Sequence, residues 1–104
     1  MEKVKITVTK RFKPEDVLGK EMKNPQGDVI VPCEKFKEGQ EFIMDNDSLN
    51  NPDGFCEWAW KDLLPYVSAL ATGGNFLSWF EKGVAYGACT DGLRPVCFKL
   101  ERIS

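Results

Sequence analysis

Residues Lys3 to Lys10 alternate without a fault: Val4, Ile6 and Val8 take one side, and Lys3, Lys5, Thr7 and Thr9 the other. A period of two predicts a half-buried β-strand. Residues 13–28 are broken by Lys13-Pro14, Gly19, Asn24-Pro25 and Gly27-Asp28, and read as a turn-rich excursion. Within it, Pro14 to Gly19 suits one helical turn, with proline at its first position and glycine at its end. Val29-Ile30-Val31 is a short strand candidate stopped by Pro32. Lys37 to Gln40 reads as a turn, Glu41 to Met44 as a strand, and Asp45 to Asp53 as a polar loop. From Phe55 to Thr72 the period changes. Phe55, Ala59, Leu63, Tyr66 and Leu70 recur at helical spacing, Trp58 and Trp60 flank them, and Gly73-Gly74 closes the segment. Pro65 is expected to kink this helix or split it near Leu64, giving pieces over about 54–64 and 65–72. Asn75 to Gly83 is aromatic and irregular. Val84 to Cys89 and Arg94 to Ile103 read as two strands joined by the loop Thr90-Asp91-Gly92-Leu93.

The order β, β, β, α, β, β predicts an α+β domain. Its antiparallel sheet or partial barrel of about five strands packs on one Pro-kinked helix over about 54–72. A chain of 104 residues, 42% hydrophobic and 29% charged, is expected to form a single domain with one ordinary core.

With 14 basic and 16 acidic side chains the formal charge is −2, which gives no reason to expect nucleic acid or an anionic membrane as a partner. The lysines near the N-terminus read as a solvated strand face rather than a binding arm. Met1-Glu2-Lys3 leads into a strand, not into a signal peptide, and no apolar run approaches a membrane span. A cytoplasmic location with reduced thiols is therefore expected.

No histidine is present, so four cysteines carry the only soft-metal or nucleophilic chemistry near neutral pH. Cys33 follows Pro32, Cys56 follows Asp53-Gly54, and Cys89 precedes Asp91-Gly92; Cys97 falls in a strand. Buried cysteines usually behave as small hydrophobes. A zinc or iron–sulfur site usually draws on close Cys-x-x-Cys pairs, and none occurs here, so no cofactor is the expectation. Cys56 has the best case for reactivity, since it falls in the first turn of the helix; without histidine a Cys–His nucleophile is excluded. Cys33 and Cys89 matter only if they lie beside it. Asp45, Asp47 and Asp53 do not match a calcium loop and read as a solvated acidic loop.

Several segments together resemble a known family. They are Val4-Lys5-Ile6-Thr7-Val8, Cys33 with Gly39-Gln40-Glu41-Phe42, Gly54-Phe55-Cys56 with Ala59, and Pro65-Tyr66-Val67 with Leu70. Gly73-Gly74, Cys89-Thr90-Asp91-Gly92 and Arg94-Pro95-Val96-Cys97-Phe98 follow. The chain resembles small bacterial and archaeal proteins of about this length, uncharacterised in function, with three spaced cysteines and this C-terminal hairpin. The resemblance covers nearly everything outside residues 11–31. It implies a stand-alone prokaryotic domain and brings no activity, substrate or cofactor. The family's first cysteine is usually followed by proline and a glycine–histidine pair; here Glu34-Lys35-Phe36 follows Cys33. Its third is usually followed by proline; here Thr90 follows Cys89.

The aromatic residues complete the reading. Trp58 and Trp60 are about 200° apart on a helix, so one is expected to be exposed. Trp60 or Trp79 is the candidate contact surface for a ligand groove, a protein partner or a homodimer. The leading expectation is a non-catalytic binding or interaction module. The rival is a thiol-dependent protein, metal-binding or redox-active, centred on Cys56 with Cys33 and Cys89.

Overall fold

The computed structural model of the protein describes residues 1–45 and 47–103, so position 46 of the polar 45–53 loop lies outside it. Six elements follow in order: β1 (Val4–Arg11), α1 (Pro14–Leu18), β2 (Glu41–Met44), α2 (Glu57–Ala71), β3 (Val84–Ala88) and β4 (Val96–Arg102). The strands form one antiparallel sheet in the order β2-β1-β4-β3, with α2 packed on it. The fold is α+β, as the alternating and helical periods predicted.

The sheet is an open one of four strands rather than about five, with β2 and β3 at opposite edges. The missing strand is Val29–Val31, which contributes a single bridge, Lys23 to Val29. Val29 and Val31 are exposed, so no buried face rewards longer pairing there. The Asn24 side chain stabilises the turn instead, accepting from the backbone N–H groups of Gln26 and Asp28 at 3.0 Å each.

One face of the sheet is buried. Val4, Ile6 and Val8 of β1 share it with Phe42 and Met44 of β2, Val96, Phe98 and Leu100 of β4, and Ala85 of β3. The register places Ile6 opposite both Phe42 and Leu100, and Val8 opposite Phe98. The other face is solvated and laced by charge: Lys5 lies 3.7 Å from Glu41 on one neighbour and 3.7 Å from Glu101 on the other. Such exposed pairs fix register more than they add stability.

Helix α2 buries Ala59, Trp60, Leu63, Val67, Leu70 and Ala71. Val67 takes the core position expected of Tyr66, which is half-buried and stacks edge-on against Phe76 at 5.5 Å. The helix runs unbroken through Pro65, as one helix rather than the two pieces that the sequence also allowed. Proline removes the hydrogen bond to the Lys61 carbonyl, but Lys61 and Pro65 are both exposed. Water can satisfy that carbonyl, so the helix tolerates the loss. At its far end Arg102 reaches under the last turn. Its Nη1 donates to the carbonyls of Leu70 and Gly74 at 3.1 and 2.6 Å, and its Nε pairs with Glu2 at 3.1 Å.

Phe36 and Phe55 cover the rest of the sheet from loops. Phe36 packs edge-on against Phe42 and Phe98, and Phe55 against Phe42 and Trp60. The β3–β4 connection runs from Cys89 to Pro95, longer than the four residues expected, because Pro95 cannot donate to a ladder and Asp91 builds a turn of its own.

Candidate functional site

Three remote segments meet beside the start of α2, and each brings a cysteine. The first is the irregular stretch before Phe36. Two arginines hold it. Arg11, at the end of β1, donates from Nη1 to the Cys33 carbonyl at 2.9 Å. Arg94 donates from Nη1 to the Val31 carbonyl at 3.3 Å. The β1–β4 register shifts between Val8 and Lys10. A shift of this kind re-aims the end of a strand, and this one lies directly before Arg11.

Cys56 is the N-cap residue of α2, and its carbonyl accepts the Trp60 N–H at 2.9 Å. Its side chain caps nothing. The entry into the helix is a turn in which Phe55 N–H donates to the Pro52 carbonyl at 3.1 Å. Gly54 at φ 78° occupies the left-handed position that this turn requires. Cys89 follows β3, where its N–H donates to the Val96 carbonyl at 3.0 Å and its Sγ accepts the Val96 N–H at 3.3 Å.

Cys33, Cys56 and Cys89 line one pocket of about 290 Å³. Phe36, Ala59 and Val96 form its apolar floor, and Trp58, Asp91 and Arg94 stand at its rim. All three thiols are half-buried and free. The sequence named the three cysteines but could not show that they meet. Cys97 is not among the lining residues. It lies on the outer face of β4 opposite Lys10 and Ala88. Burial, and next the neighbouring Cys89, push its pKa above the ordinary thiol value.

The tryptophans divide differently from expectation. Trp60 is buried against Phe55 and offers no contact surface, whereas Trp58 is 60% exposed and walls the pocket. The helical angle between them required one to face out; what decides which is the Phe55 ring, 6.0 Å from Trp60. Trp58 is held in place despite its exposure. Its indole N–H donates to the Thr90 hydroxyl at 2.8 Å. That hydroxyl donates to Asp62 at 3.0 Å, and Asp62 also accepts the Thr90 N–H at 2.8 Å. Lys61 sits 4.8 Å from the Trp58 ring centre. Trp79 is 82% exposed, with Leu77 beside it at 70%, on a turn whose Phe76 and Phe80 face inward.

Arg94 is the only basic residue of the lining. Its Nε lies 3.6 Å from Asp91, whose other oxygen accepts the N–H groups of Leu93 and Arg94 at 2.9 and 3.1 Å. The guanidinium is thus fixed by Asp91 and the Val31 carbonyl. Sequence reasoning missed Trp58, Arg94 and Phe36 as site residues. The signal for Arg94 was its place in the loop immediately after the third cysteine.

Among the described residues, no group of three or more Cys, Asp or Glu side chains is placed to hold a metal ion. Among the same described residues, no helix is long and apolar enough to cross a membrane. The chain matches no protein-family model, no curated protein and no solved structure.

Proposed function

We propose that the protein is a small binding module, without catalysis of its own, whose site is the pocket between Cys33, Cys56 and Cys89. The observation that carries this reading is the meeting of three sequence-remote segments around one apolar pocket with a fixed aromatic wall. Small-molecule sites are typically concave and mostly apolar, with a few placed polar groups. At about 290 Å³ the pocket suits a compact ligand. Trp58 offers it a ring face, and Arg94 a cation at one end. In this reading the module works in a reducing cytoplasm, where its thiols stay free.

A protein contact through Trp79 and Leu77 is the second reading, supported by their adjacent exposure. Titration with anilinonaphthalene sulfonate, an apolar ring system bearing an anion, separates the two. The folded protein binds the dye saturably, one per chain. Trp58→Ala weakens binding about tenfold, the order of one lost aromatic contact, while Trp79→Ala leaves it unchanged. Circular dichroism confirms that each variant is folded. Unchanged affinity in Trp58→Ala, or loss in Trp79→Ala, rejects the pocket.

A further inference from the structure

We propose that the same pocket is a site of reversible thiolation, in which Cys56 exchanges with a small disulfide and thereby closes the site. The inference rests on the pocket being an open binding site, and it adds what regulates it. Three features of the geometry point to Cys56. It lines the pocket and also a shallower, more polar depression of about 600 Å³ formed with Lys35, Asn51 and Asp53, the two hollows sharing Cys56 and Trp58. Its side chain makes no cap hydrogen bond, whereas the Cys89 sulfur accepts the Val96 N–H. It alone of the three cysteines borders both hollows, so a group attached to it has room beside the pocket and the Trp58 ring within reach.

The Cys56 thiol gives up its proton to solvent. The thiolate attacks one sulfur of R–S–S–R, the old S–S bond breaks as the new one forms, and R–S⁻ leaves and is protonated by solvent. Cys56 is oxidised, and the departing half of the disulfide is reduced. An excess of free thiol reverses the exchange. The R group then lies against Trp58, where it displaces a ligand from the pocket. Cys97 is the internal control: it lies outside the pocket on the opposite face of β4.

The probe is oxidised glutathione, applied to reduced, folded protein, with the adduct located by peptide mass spectrometry. One adduct per chain is expected at Cys56, formed at least about tenfold faster than any at Cys97 and removed by dithiothreitol. The thiolated protein binds anilinonaphthalene sulfonate about tenfold more weakly. Cys56→Ser forms no adduct, and treatment with oxidised glutathione leaves its own affinity for the dye where it was before treatment; circular dichroism shows that it folds. An adduct at Cys33, Cys89 or Cys97 instead, or none under conditions that modify an unstructured cysteine peptide, overturns the proposal. Saturable dye binding without an adduct ends the thiolation alone. An adduct in a protein that lacks the dye site ends the binding reading.

Discussion

Gly87 of β3 lies where α2 packs against the sheet. A Cβ built there would sit 2.7 Å from the Leu63 methyl Cδ2 and 3.3 Å from the Tyr66 ring. Leu63 is fully buried, so its methyl has nowhere to move. Gly87→Ala is therefore expected to destabilise the protein by about 1–3 kcal/mol, as overpacking does. Thermal unfolding reads this as a midpoint lowered by about 4–8 °C for each kcal/mol. An unchanged midpoint would mean that α2 lies farther from β3. Nothing in the sequence singled out this glycine. Its role depends on Leu63 and Tyr66, more than 20 residues earlier in the chain, whereas Gly54 and Gly73 announce themselves through local turns. The same contrast separates Trp58 from Trp60: helical geometry shows that they diverge, but only the Phe55 ring decides which is buried.

At the scale of the element, α2 tests how far local rules reach. Proline inside a helix costs about 3 kcal/mol relative to alanine, yet packing of the buried face carries the helix through Pro65. Pro65→Ala restores the missing N–H on an exposed position. It is expected to raise stability by about 2 kcal/mol, after the loss of proline's restriction on the unfolded chain. Urea unfolding checks this; a lower midpoint would show that the fold needs the distortion that proline imposes. The strands were legible where alternation and a buried face coincide, as in Val4 to Val8 and Val96 to Leu100. Val29 to Val31 has strand-forming residues but no core to face. Local propensity without a buried surface makes only the one bridge to Lys23.

For the whole molecule, a sheet with one solvated face leaves α2 and the loops to build everything on the other. Phe36 arrives from an irregular segment with no periodicity to reveal it, and Phe55, which the helical spacing did pick out, from the turn before α2; together they complete the core beside the helix. The site grows at that junction. Its cysteines were visible as residues, but their spacings of 22 and 32 intervening positions say nothing about distance in space. Arg11 and Arg94 bring Cys33 to the other two through backbone carbonyls, a kind of contact that leaves no pattern in the chain. The binding site depends on that convergence. The most direct measurement is the amide and indole N–H NMR spectrum during titration with anilinonaphthalene sulfonate. Shifts concentrated at Cys33, Cys56, Cys89, Arg94 and the Trp58 indole are the predicted result. Shifts confined to Leu77 and Trp79, or spread evenly over the sheet, would contradict it.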